Sequence, residues 1–176
     1  MSFNYKLLVL VVKFFTPYVL LVFIITGCNL EAIYKKKETR DFFCFIELDE
    51  PQSNFNLYEV TFYNELKLKL CKKNTTNKTF LLKWSIEKST KELITAKNTS
   101  ISRYEVILTS KFYLFKKKDS TIIYSDETYS TAAHNVLEDE LFSTITSERA
   151  SDNYAATNLV DLIFNKIYLF SQHHQL

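Results

Sequence analysis

The residue best placed for covalent chemistry is Cys28, which follows Ile25-Thr26-Gly27 at the end of an apolar run that begins near Leu7. An aliphatic residue, a small residue and Gly ahead of a cysteine, at the cut site of an export leader, mark Cys28 as the processing point. Lys6 supplies the positive start of such a leader, Phe14 to Ile25 its apolar middle, and Thr26-Gly27 the small residues at the cut. The competing reading is an uncleaved anchor, because Leu7 to Ile25 is 19 residues and roughly 20 cross a bilayer. Lys13 and Pro17 weigh against the anchor: a lysine inside a spanning segment is costly, and it divides the run so that the part from Phe14 has leader length.

Cys44 and Cys71 stand in no metal-ligand spacing and have no nearby His. In an exported chain they can form a disulfide or remain two separate buried thiols, and the sequence leaves both open. Lys116, Lys117 and Lys118 concentrate charge that could contact a phosphate, although a basic hairpin turn is ordinarily a solvated loop. His134, His173 and His174 read as structural, the last two in a C-terminal tail. With a single glycine the chain has neither a GxSxG elbow nor a phosphate-cradling glycine loop, and it contains no HExxH or EF-hand spacing. The expectation is a protein that is not an enzyme and that uses no cofactor or metal.

Removing residues 1–27 takes away Lys6 and Lys13 and no acid, so the remaining 149 residues carry 20 Lys+Arg against 20 Asp+Glu. A formally neutral chain gives no overall electrostatic case for nucleic-acid binding. Its length suits one domain with its own core. The organisation expected is a signal peptide over 1–27, an acylated N-terminus and charged tether over 28–41, and a single domain over 42–176. Lys35, Lys36 and Lys37 belong to the tether, where a lipid anchor on Cys28 would hold the chain at a membrane.

Positioning these groups requires six elements. Phe42 to Leu48 is aromatic and β-branched and reads as a central strand ended by Pro51. Phe55, Tyr58, Phe62, Leu66 and Leu70 recur at three or four, which predicts a helix over about 53–73 capped by Ser53 or Asn54. Its weak point is Leu66-Lys67-Leu68-Lys69-Leu70, which alternates like a strand. Phe80 to Glu87 reads as a second strand, with 91–96 as a short separate extension. Ser102 to Phe115 is the clearest strand, with Tyr104, Val106, Leu108, Ser110, Phe112 and Leu114 on one face. Lys116 to Ser120 turns it into a hairpin with Thr121 to Tyr129. Residues 130–142 are mixed in character, and from about Thr144 to Ser171 a helical stripe returns. The order β-α-β-β-β-α gives an α+β fold: two helices packed on one face of a small mixed four-stranded sheet, a two-layer sandwich.

These residues, in this order, resemble the LPS-assembly lipoprotein LptE family in its alphaproteobacterial form. Gly27-Cys28-Asn29-Leu30-Glu31-Ala32-Ile33-Tyr34 is similar to the family's acylated start. Ser102-Arg103-Tyr104 entering the long strand, Phe112-Tyr113-Leu114 near its end, Asp126-Glu127-Thr128-Tyr129 and Tyr154-Ala155-Ala156 extend the likeness. The family's Gly and Pro after the acylated cysteine are Asn29 and Ala32 here. The resemblance implies an outer-membrane lipoprotein on the periplasmic side, acting as plug and assembly partner of the β-barrel LptD in lipopolysaccharide transport. Residue 29 is not Asp, which by the same resemblance directs the protein to the outer membrane. The alternative is an unrelated periplasm-facing lipoprotein binding module with the same tether and another partner. Mass spectrometry of the purified protein should find an acylated chain that begins at Cys28. An intact, unacylated chain that retains residues 1–27 would overturn the processing reading.

Overall fold

Four apolar side chains on one face of a strand set the architecture. In a computed structural model, residues 42–51, 56–71, 77–95, 101–137 and 140–174 are described, all within the unit Lys36–Leu176. Val106, Leu108, Phe112 and Leu114 are buried on one face of a long strand, and Ser110 is buried among them. A period of two places these residues on one side of a pleated strand, and burying them requires a second layer on that side. Two helices supply it.

The elements among the described residues are β1 (Ile46–Leu48), α1 (Leu57–Leu70), β2 (Phe80–Thr95), β3 (Ile101–Lys116), β4 (Thr121–Leu137) and α2 (Leu141–His174). The sheet order is β1-β2-β3-β4, with β1 parallel to β2 and the remaining pairs antiparallel. This is the expected mixed four-stranded α+β fold. The parallel pair needs a crossover, and α1 is its helix.

Several boundaries differ from the sequence expectation. Residues 42–44 form a helical turn, and the strand begins only at Ile46. Phe42, Phe43 and Cys44 are all buried; a strand would turn every second one outward, whereas a helical turn lets neighbours share one side. Phe43 stacks on Phe164 with ring centroids 4.2 Å apart, and Phe42 meets Phe80 at 5.4 Å. β1 is an edge strand and not a central one. β2 runs unbroken through the expected gap at 88–90, because antiparallel pairing with β3 continues past it. β4 runs on to Leu137 and α2 begins at Leu141, so residues 130–142 are mostly strand.

α1 stays helical through Leu70 despite the alternation at its end. Tyr58, Phe62, Leu66 and Leu70, four residues apart, are its buried stripe, while Leu68 is exposed. Tertiary burial at a spacing of four outweighs the local alternation. Asn56 precedes its first residue, and the Glu59 carboxylate accepts the Asn56 N–H at 2.8 Å, closing the first turn. Phe62, fully buried, meets Trp84 of β2 at 4.9 Å.

α2 has 34 residues, about 51 Å at 1.5 Å per residue, which matches the length of the long strands. It buries Ala155, Ala156, Leu159, Val160, Ile163, Phe164 and Ile167. Thr61 of α1 bonds Asn153 of α2 at 2.8 Å, and Lys69 pairs with Asp161, so the two helices are also joined by polar contacts.

Cys44 and Cys71 are joined by a disulfide across 27 residues, with Cα atoms 4.9 Å apart. It fastens the turn ahead of β1 to the residue that ends α1. Closing a loop of that length removes unfolded-state entropy worth about 3 kcal/mol. Reduction, or Cys71→Ser, should therefore lower unfolding stability by about 3 kcal/mol in urea titrations, with α2 still helical by circular dichroism. No change would mean that the bridge constrains neither state.

Candidate functional site

The basic turn does not present three free cations. Lys116 closes β3 and pairs in register with Thr121, while Lys117 and Lys118 lie in the turn. Lys117 forms an ion pair with Glu47 of β1, and its N–H donates to the Thr79 carbonyl at 2.9 Å. Asp119 accepts from the Thr121 N–H at 3.3 Å and from its hydroxyl at 2.8 Å. These bonds, the hydroxyl's first, hold the Asp119 carboxyl below its usual range. Ser120 closes the turn at φ 55°, a left-handed position occupied here without glycine. Lys116 and Lys118 remain exposed without an ion pair among the described residues.

A half-open cavity of about 510 Å³ lies between β1 and the last turns of α1. Glu47, Asp49, Glu50, Lys67 and Lys78 supply its charges, and most of these are already engaged. Lys78 donates to the carbonyls of Cys44 and Ile46 at 2.9 and 3.3 Å, and Lys67 lies 5.4 Å from the Tyr63 ring centre. Among the described residues no group of three His, Cys, Asp or Glu is arranged to hold a metal.

The strongest electrostatics lie in the seam between α2 and the sheet. Lys88 of β2 bonds Asp152 at 2.8 Å and Glu148 at 3.0 Å, and lies 5.9 Å from the Tyr58 ring centre. Burial disfavours the Lys88 cation, but its hydrogen bonds to Asp152 and Glu148 outweigh this and raise its pKa. Burial first, then the charge of Glu59, raises that of the Tyr58 phenol. Further along α2, Lys166 pairs with Asp126 at 2.6 Å, and Tyr124 donates to the same carboxylate at 3.0 Å. Burial, followed by that bond to Asp126, pushes the Tyr124 phenol up to about 12. Partial burial works against the Asp126 anion, yet the bonds from Lys166, the Glu127 N–H and Tyr124 hold its carboxyl below the usual range. His134 is buried, stacked with Tyr104 at 6.1 Å, and its Nδ1 lies 3.2 Å from the Ser151 hydroxyl.

The seam was absent from the sequence expectation although a signal for it exists. Lys88 continues the inward phase of Leu82, Trp84 and Ile86, and Asp126 lies opposite Phe112. A charge in a buried phase calls for a partner on the facing helix. On the other face of the sheet no helix packs among the described residues. There Lys83 lies 5.3 Å from the Phe115 ring centre, Tyr113 is 6.4 Å from Phe115, and Lys111 faces Glu127 at 4.0 Å. Cys28 and the tether lie outside the described residues. No helix among the described residues is long and apolar enough to cross a membrane.

No protein-family model and no curated protein sequence matches the chain. Its fold is similar to that of a protein from Caulobacter crescentus described as a lipoprotein. The TM-score is 0.62 at 11% identity, over 77% of this chain and 96% of that one. A minor lipoprotein from Acinetobacter baumannii scores 0.47 at 15% identity, covering 70% and 90%. Rare lipoprotein B from Shewanella oneidensis scores 0.43 at 14% identity, covering 74% and 98%. At these identities the likeness is one of fold.

Removing the cation from the seam leaves two acids facing a partly buried space, with Asp152 Oδ1 already buried and without a partner among the described residues. Lys88→Met should cost about 2 kcal/mol at neutral pH, measured by urea unfolding. Because the folded pKa of Lys88 is raised, the wild-type contribution is complete below the ordinary value of 10.5 and is lost as pH rises through the folded pKa. The difference between wild type and variant should accordingly be flat from pH 7 to 10 and shrink above it; a difference that shrinks below pH 9 would assign the stabilisation elsewhere.

Proposed function

We propose that this protein is a non-catalytic, lipid-anchored component of the outer-membrane machinery that assembles lipopolysaccharide. It would act as plug and assembly partner of the β-barrel LptD. The observation that carries the reading is the fold, shared over nearly the whole length of a bacterial lipoprotein domain, behind a sequence with an acylation motif at Cys28. The Cys44–Cys71 disulfide is in keeping with an oxidising compartment outside the cytoplasm.

The motifs within the described residues that resemble the LptE family fall on structural landmarks. Ser102 to Tyr104 open β3, Phe112 to Leu114 lie near its end, Asp126 to Tyr129 sit in β4, and Tyr154 to Ala156 lie in α2. Two of them also carry the helix-to-sheet seam: Asp126 receives Lys166, and Ala155 and Ala156 are buried where α2 packs on the core. The sheet face on which no described helix packs, part aromatic and part charged, suits the wet and mixed-polarity interior of a wide barrel better than a lipid surface. Lys116 and Lys118 are the cations of the turn left for lipopolysaccharide phosphates.

Affinity purification of the tagged full-length protein from its own envelope should recover an outer-membrane β-barrel, and depletion should strip surface lipopolysaccharide and cause antibiotic hypersensitivity. If only soluble periplasmic proteins are recovered and lipopolysaccharide is unaffected, the protein is a lipoprotein binding module with another partner.

A further inference from the structure

The two edges of the sheet are finished differently. β1 covers β2 only over Phe80 to Leu82, and the open stretch beyond carries Lys83, Glu87, Lys88, Lys91 and Glu92. Charges of this kind discourage an edge from pairing with another chain. β4 is the opposite edge, and from Thr128 to Leu137 it has no Asp, Glu, Lys, Arg, Pro or Gly.

The direction of its backbone groups follows from the register. The Leu82 carbonyl accepts the Asp49 N–H, so Leu82 turns its polar groups toward β1 and away from β3. Leu82 faces Leu114, and Leu114 faces Tyr124. In antiparallel ladders hydrogen-bonded and open pairs alternate, so Tyr124 and every second residue after it bond β3. Glu127, Tyr129, Thr131, Ala133, Asn135 and Leu137 therefore point their N–H and C=O groups out of the sheet. α2 ties off two of these. Lys166 Nζ donates to the Glu127 carbonyl at 3.2 Å, while Thr144 Oγ1 accepts the Leu137 N–H at 3.0 Å and donates to its carbonyl at 3.2 Å. Between these caps no hydrogen bond among the described residues reaches the outward groups of Tyr129, Thr131, Ala133 or Asn135.

The side chains bordering this window are apolar or neutral. Leu162 lies one helical turn before Lys166, on the flank of α2 opposite Asn153, which faces α1; it is 40% exposed. On the other side of the sheet Tyr129 is 65% exposed.

We propose that the edge from Tyr129 to Asn135 is a strand-acceptor site. It binds an extended, uncharged segment of another polypeptide whose alternate side chains are aliphatic and lie under the Leu162 flank. A second copy of this chain does not fit antiparallel to that edge. Its α2, also seated over β4, would stand one strand spacing away, about 4.8 Å, whereas packed helices need about 8–10 Å. The occupant is therefore a strand with no helix on that face. The site stands independently of the barrel partner.

The test uses the full-length protein in detergent and a fluorescent nine-residue peptide of alternating Val and Thr with blocked ends. Anisotropy should show saturable binding, and amide exchange at Tyr129, Thr131, Ala133 and Asn135 should slow about tenfold on saturation. Ala133→Pro removes one outward N–H without touching the β3 ladder and should weaken binding about tenfold. Thr131→Lys, which places a charge in the window and leaves the backbone unchanged, should do the same. Thr90→Pro, at an outward position of β2, should leave binding unaltered. The proposal fails if no binding is seen up to about 1 mM, if protection appears on β2 instead, or if Thr131→Lys binds like the wild type. It also fails if the protein dimerises through β4.

Discussion

The fold depends on how closely α2 can lie against β4. Where they meet, the sheet offers Ser130 and Ala132 and the helix offers Ser151, Ala155 and Ala156, with Ala155 and Ala156 fully buried. Small side chains bring the helix down far enough for Leu159, Ile163 and Ile167 to reach the β3 residues beneath, and all three are fully buried. A larger residue at Ala155 or Ala156 would lift the helix, and dispersion contacts weaken steeply with separation. The same seat brings Lys166 and Thr144 within reach of the outer edge of β4. One packing distance thus governs both the core and the finish of the sheet edge.

Polar groups in this seam specify alignment more than they add stability. α2 has 34 residues and an almost continuous small and aliphatic face, and apolar contact alone would tolerate a slide of one turn. The Lys88 pair with Glu148 and Asp152 near its start, the contact of His134 with Ser151, and the Lys166 pair with Asp126 near its end resist that slide together. Burying a lysine costs solvation, and the gain is a single register. Ser110 is the exception: its hydroxyl is fully buried with no partner among the described residues.

The fold class was legible in the sequence because the β3 alternation and the α2 stripe are long enough to leave one reading each. What was not legible had local signals that opposed tertiary ones. Phe42 to Phe45 look like a strand by composition, but three consecutive buried side chains demand a helical turn. The polar stretch through Lys88, Ser89 and Thr90 looks like a break, yet β3 opposite supplies the hydrogen bonds that carry β2 through it. Thr131 to Asn135 lacks the hydrophobic alternation of a strand because that part of β4 lies under a helix with small contact residues. At the candidate site the sequence grouped Lys116, Lys117 and Lys118 by adjacency, whereas the fold assigns Lys117 to Glu47, a residue 70 positions away. Neighbours in sequence reveal charge density; only the fold reveals which charges are already spent.

The sheet face turned away from α1 and α2 has an intermediate character that follows from its pairs. Lys111 opposite Glu127 and Lys83 beside Phe115 interleave charge with aromatic surface. A face of this kind needs no permanent cover in water, and it can still form many weak contacts when enclosed. Among the described residues both helices pack on the side where β3 is apolar, and the opposite side keeps enough charge to remain wet. Enclosure by a polar-walled partner would desolvate it little, whereas insertion into lipid would strand Lys83, Lys111 and Glu127. The polarity of that face thus favours a protein or a water-filled lumen over a bilayer core.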